Sequence, residues 1–201
     1  MNTGGIVLMV SLAIVVLCAL YAIRLFNNLV AGRNEIKNAF AQVEVQLKRR
    51  YDLIPNLVAT AKGYLSHERD TFEAVTAARN TALAGLKAAK AQPGDAQKIA
   101  QLSLADGALN SAMGRLNVTL EAYPELRAVE AMQQLSEEIS STENKVAFAR
   151  QFFNDAVLSY NNLKQSFPAL LLAASFGHGA DAKPLEFSDT ASIQQAPQAS
   201  F

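Results

Sequence analysis

VQLKRRYDLIPNLV, Val45 to Val58, sets three cations against an aromatic and an acid, then enters an apolar stretch broken by Pro55. Upstream, Ile36, Phe40, Val43, Leu47 and Tyr51 step by four and three, the seam of a helix that buries one face. A helix from about Asn34 to Tyr51 carries Lys48, Arg49 and Arg50 in its last turn, where the negative end of the dipole favours cations by ~0.3–1 kcal/mol each. Proline disfavours helix at the residue before it and can open a helix itself, so DLIPN reads as a corner between two helices. On that reading Lys48, Arg49, Arg50, Tyr51 and Asp52 form a candidate partner-docking surface.

Beyond the corner, Leu57, Ala61, Leu65, Phe72, Val75 and Leu86 make a second, looser stripe. Pro93 and Gly94 then form a turn, and Asp95 is placed to accept hydrogen bonds from the first free amides of the next helix. Leu102, Leu109, Met113, Leu116, Leu120 and Tyr123 give a third stripe, and Pro124 with Glu125 suits a helix start. The fourth runs without a slip through Met132, Leu135, Ile139, Thr142, Val146, Ala149, Phe153, Ala156, Tyr160, Leu163 and Phe167. Sustained spacing near 3.5 suits left-handed packing, so an all-α, antiparallel four-helix bundle is expected over residues 26–167. Asparagines track the helices, and Asn144, Arg150 and Asn154 are candidates for a polar layer that fixes register.

Toward the N-terminus, IVLMVSLAIVVLCALYAI, Ile6 to Ile23, has one polar residue, Ser11, and no charge. With Gly4 and Gly5 it matches the ~20 residues that cross a ~30 Å hydrocarbon core. A cleaved signal peptide would have a basic start, a shorter apolar run and a small-x-small site, so an uncleaved anchor over residues 6–25 is expected. Met1 to Gly5 carry no cation, whereas Arg24, Arg33 and Lys37 follow the span. The positive-inside rule then puts a short N-terminus outside and the bundle in the cytoplasm, with a single pass. Lys48 lies 25 residues past Ile23, ~37 Å along a straight helix and beyond the ~8 Å screening length, so a lipid clamp there needs a bend at Ala31–Gly32. Cys18 is the single cysteine, which excludes a disulfide framework, and its apolar setting suits a buried thiol.

Residues 168–201 read as an irregular tail, punctuated by Pro168, Gly177, Gly179, Pro184 and Pro197. Ala169 to Phe176, ALLLAASF, is too apolar to lie free in water. It is expected to strap the open end of the bundle, or else to touch a membrane or partner.

Eighteen basic and eighteen acidic residues cancel, which gives no support to nucleic-acid binding. Arg24 to Lys98 holds 12 cations against 7 acids and the remainder 6 against 11, so two helical hairpins would attract as they dock. No Glu is followed by His at the third position, no P-loop, Gly-x-Ser-x-Gly or GxGxxG occurs, and His67 and His178 are the only histidines. His67 with Glu68 reads as a surface pair on the second helix. Neither a cofactor nor an enzymatic activity is expected.

RNEIKNAFAQVEVQLKRRYDLIPNLVATAKGYLSHE, Arg33 to Glu68, and STENKVAFARQFFNDAVLSYNNLKQSFP, Ser141 to Pro168, resemble the LemA family of bacterial membrane proteins, as more weakly does the ending APQASF. Phe40 stands where many members have tryptophan, Ala199 or Ser200 where members have valine, and HGADAKPLEFSD departs from the pattern. The resemblance implies one N-terminal span, a short outer N-terminus and a helical bundle, and brings no catalytic residues. The expected function is a non-catalytic adaptor or scaffold, joined to the bilayer by its N-terminal helix and offering the bundle to a membrane-protein partner or to copies of itself. The alternatives are a ligand-binding sensor bundle on the outer side of the membrane and a membrane-shaping oligomer.

Overall fold

Pro55 lies inside a helix. The computed structural model describes residues 3–65, 67–127 and 129–186. Its regular elements are α1 (Thr3–Lys62), α2 (Arg69–Ala91), α3 (Ala96–Glu121), α4 (Pro124–Arg127), α5 (Glu130–Gln165) and α6 (Ala169–Ala173). The proline ring removes the amide that would bond to the carbonyl of Tyr51 and crowds that oxygen. Arg79 of α2 supplies the missing donor: its Nε donates to Tyr51 O at 2.9 Å, while Nη2 lies 3.5 Å from Asp52 Oδ1. Pro55 itself faces solvent, so its ring displaces nothing in the core.

The corner expected at DLIPN is therefore corrected. Leu57, Val58 and Ala61 continue the buried face of α1. The chain turns between Lys62 and Arg69 instead, and the amides of Tyr64 and Leu65 both bond to Ala61 O at 3.0 Å. His67 is exposed in that turn rather than on α2.

The 60 residues of α1 make a rod of ~90 Å. Its first part, Thr3 to Tyr21, is exposed throughout and is long and apolar enough to cross a membrane. Cys18 is accordingly exposed rather than buried among protein side chains. Leu25 and Leu29, only 3% and 0% exposed, already belong to the core, so the same helix passes from the apolar run to the domain within a turn.

Helix packs on helix in the order α5, α1, α2, α3. α5 runs antiparallel to α1, with Tyr160 opposite Gly32, Phe153 opposite Phe40 and Glu138 opposite Arg49. A Cβ at Gly32 would stand 3.1 Å from Tyr160 Cδ2, so this glycine admits a ring against bare backbone, and the helix continues through it. α2 returns along α1, held by Lys62 over the Phe72 ring at 5.8 Å and by Lys90 on Glu44 at 2.7 Å. α3 lies against α2 where Gly85 meets the backbone of Leu102. Asp95 caps α3 as expected, accepting from the Lys98 amide at 2.9 Å.

Between α3 and α5 a cleft of about 700 Å³ opens, with Leu120 and Met132 toward its floor. Pro124 opens the separate short helix α4 rather than the long α5. The fourth stripe is buried or half-buried from Met132 to Leu163, but Phe167 is 82% exposed. Past α6 the chain runs extended along α5 and buries Ala182 and Leu185, so the domain continues beyond residue 167. Residues 187–201, with the APQASF ending, lie outside the described residues.

Candidate functional site

Because α1 does not end at Tyr51, Arg50 and Tyr51 are interior residues, 3% and 0% exposed. Tyr51 Oη donates to Asp106 Oδ1 at 2.7 Å. Arg50 Nη1 lies 3.6 Å from Asp106 Oδ2, and its Nη2 donates to Asn110 Oδ1. Asp106 and Asn110 are one turn apart on α3, so two adjacent residues of α1 grip one face of the opposite helix. Burial, with the Asp106 carboxylate beside it, pushes the Tyr51 phenol far above its ordinary value, so it stays a proton donor at any physiological pH. The arrangement is a fixed, buried ion pair with oriented donors. Its chemistry is to hold register between α1 and α3, since removing one partner of such a pair leaves an uncompensated charge.

The five residues expected to form one docking surface are thus divided. Lys48, Arg49 and Asp52 are exposed, Arg49 pairing with Glu138 at 2.8 Å and Asp52 with Arg79, whereas Arg50 and Tyr51 face the core. The expected polar layer is divided as well. Asn144 is exposed, Arg150 lines a small cleft of about 290 Å³ with Arg50 and Asn110, and Asn154 binds the backbone of the C-terminal strap. Along α5, Arg150 and Asn154 lie ~9 Å and ~15 Å beyond Asn144, and the three turn to different surroundings.

The strap is read by side chains to which sequence spacing gave either another role, as at Asn154, or none. Asn161 accepts from Ala182 N at 3.0 Å and donates to Ala182 O at 2.8 Å. Asn154 accepts from Leu185 N at 2.7 Å and donates to Leu185 O at 3.2 Å. The two amides stand seven residues apart, ~10.5 Å along the helix, and three extended residues span about the same distance. Lys164 adds a bond to Gly179 O at 3.1 Å and an ion pair with Asp181. Lys164 and Gln165 hold the Asp181 carboxyl below its ordinary value. His178 is 5% exposed, with Nδ1 2.8 Å from Tyr160 Oη. Burial, then the charges of Arg33 and Lys164, lower its affinity for a proton.

Opposite the buried cluster, the seam of α1 and α5 has an apolar outer face. Val45 is 61% exposed, Phe148 74% and Phe152 41%. Val45 and Phe148 flank a groove of about 520 Å³ that Gln46 also lines. Gln46 Oε1 is buried there without a hydrogen-bond donor among the described residues. Among the described residues no group of three or more His, Cys, Asp or Glu stands together to hold a metal ion.

The sequence pattern of the LemA family matches residues 39–201. Protein LemA of Metamycoplasma hominis is 27% identical over 141 residues, 70% of this chain and 60% of its own length. The magnetosome protein MamQ of Magnetospirillum gryphiswaldense is 24% identical over 197 residues, covering 88% of this chain and 71% of its own. A magnetosome protein MamQ of Paramagnetospirillum magneticum is 25% identical over 154 residues, 68% of this chain and 56% of its own. The chain therefore spans less than two thirds of the Metamycoplasma and Paramagnetospirillum relatives.

Proposed function

The chain belongs to the LemA family, and from that starting point we propose that it is a membrane-tethered adaptor. It crosses a bacterial inner membrane once, N-terminus outside, and offers a non-catalytic antiparallel helical bundle in the cytoplasm to a membrane-protein partner or to a second copy. One observation carries the reading: the helix that bears the apolar span is also the spine of the domain, continuous from Thr3 to Lys62. A domain joined this way has a set height and direction above the bilayer, which suits presenting a surface. The exposed cations Arg24, Arg33 and Lys37 on the domain side of the span support the cytoplasmic orientation.

The docking face is the α1–α5 groove, with Phe148 as its anchor and Gln46 Oε1 waiting for a donor. Val45 lies 22 residues past Ile23, ~33 Å from the span, so this face meets partners clear of the lipid headgroups. A photo-crosslinking residue at Phe148 in the full chain, expressed in cells, is expected to join a discrete partner or a second copy. The same residue at Leu104, an equally exposed apolar position on α3, is expected to join neither. Cross-linking at neither position, or equally at both, contradicts the assignment. A reporter fused after Phe201 that is active only in the cytoplasm tests the orientation separately.

A further inference from the structure

We propose that the turn from α5 into α6 is a second contact with the bilayer that α1 crosses, with Phe167, Leu170 and Leu171 seated at the boundary between lipid headgroups and acyl chains. This rests on reading α1 as a membrane anchor. Three observations meet at this end of the domain.

The first is exposure. Phe167, Leu170 and Leu171 are 82%, 60% and 67% exposed, all within five residues of sequence. Ala169 and Ala173 of α6 are buried at 1% and 3% and Leu172 packs partly buried against the core, so this short helix turns Leu170 and Leu171 outward. Exposed apolar surface of this size normally meets a partner or a membrane.

The second is level. Tyr160 sits opposite Gly32, and the two helices are antiparallel, so Gln165, five residues onward and the last of α5, stands level with Asn27, five residues back along α1. Asn27 lies four residues or ~6 Å past the end of the apolar run at Ile23, and Phe167 follows in the turn just beyond α5. The headgroup zone extends ~5–8 Å beyond the hydrocarbon on each side, so Phe167 falls within it.

The third is attachment. Phe26 and Phe176 meet edge to face with ring centroids 5.6 Å apart, which fixes the segment after α6 against α1 at the same height. Arg24 is exposed there, placed for an anionic headgroup. A domain held at two points on one surface cannot swing about its anchor, so the groove at Phe148 keeps a constant bearing.

The test uses the full chain with Cys18→Ser, reconstituted in vesicles containing phosphatidylglycerol. Single cysteines at Met9, Leu170 and Leu104 carry an environment-sensitive fluorophore, and a lipid with a nitroxide high on its acyl chain acts as quencher. Far-ultraviolet circular dichroism checks that each variant stays as helical as the parent. The expected result is quenching with a blue shift at Leu170, as at Met9, and neither at Leu104. Quenching at Met9 with none at Leu170 overturns the second contact while leaving the anchor intact. A blue shift at Leu170 without lipid quenching means that protein covers the turn, and overturns it too. Quenching at both Leu170 and Leu104 means a domain lying flat, which contradicts the register argument. An unquenched Met9 removes the anchor reading, and this proposal with it.

Discussion

Pro55 and Arg79 work as a pair across 24 residues of sequence. The proline deprives Tyr51 O of its helical donor, and the guanidinium replaces it at 2.9 Å. Hydrogen bonds to charged groups contribute about 1.5–3 kcal/mol, so Arg79→Ala is expected to lower the unfolding free energy by about that amount. In a Pro55→Ala background the backbone amide is restored, and Arg79→Ala should then cost distinctly less; a double-mutant cycle by denaturant unfolding reads the coupling. Equal costs in the two backgrounds would show that Arg79 does not act through that carbonyl. Asp106→Ala leaves Arg50 buried without its carboxylate and Tyr51 without an acceptor, and is expected to cost about 3–5 kcal/mol in the same measurement. Tyr51→Phe, which removes one donor, should cost about 1–3 kcal/mol. None of this was legible locally. Proline and cations mark a helix end by every nearby rule, and the residue that overrules them comes from the next helix. The charge at Arg50 pointed to the surface because its partners, Asp106 and Asn110, lie more than fifty residues away.

The α5 helix carries two kinds of information on adjoining faces. Its apolar stripe, regular from Met132 to Leu163, faces the core, and that much follows from spacing alone. Its asparagines Asn154 and Asn161 hold the strap, and only the folded chain shows why they stand seven apart. Asn161→Ala with Asn154→Ala is expected to free the amides of Ala182 and Leu185, seen as faster hydrogen exchange there with exchange in the middle of α5 unchanged. Unaltered protection at residues 182 and 185 would mean that the buried Leu185 side chain alone retains the strap. At the α2–α3 crossing, a Cβ at Gly85 would lie 3.4 Å from Leu102 Cα. Gly85→Leu should therefore force the helices apart and lower stability by about 1–3 kcal/mol, whereas Gly85→Ala gains helix propensity against an ordinary contact. The all-helical class, the turn at Pro93–Gly94 and the cap at Asp95 were legible because each depends on a few adjacent residues. The cleft between α3 and α5 was not, because stripes show which faces are buried but not which helices close against each other.

For the molecule as a whole, sensitivity to acid is expected at the end of the domain nearest the apolar run. His178 faces Tyr160 and Lys164 of α5 and the charge of Arg33 on α1, and its proton affinity is lowered below the ordinary histidine value of 6.5. An unfolded chain then binds the proton more readily than the folded one, so stability is present above about pH 6.5 and is lost as pH falls below it. Asp181, also lowered, contributes in the same direction at lower pH, below the ordinary 3.8 of its carboxyl. The unfolding temperature of the full chain in detergent is expected to drop between pH 7.5 and 5.5, and the drop to shrink in His178→Gln. An identical pH slope in both proteins would assign the acid sensitivity elsewhere. The apolar run at the N-terminus was plain from composition, but its union with the first domain helix depended on crossing Pro55. That union is the central claim, and electron–electron distances across α1 test it most directly. Spin labels at Leu20 and Ala59, in the full chain with Cys18→Ser in nanodiscs, should give one narrow distance near 58 Å, the length of 39 helical residues at ~1.5 Å each. A shorter or broad distribution would mean a corner or hinge between anchor and domain, and would contradict the single rod on which the adaptor reading stands.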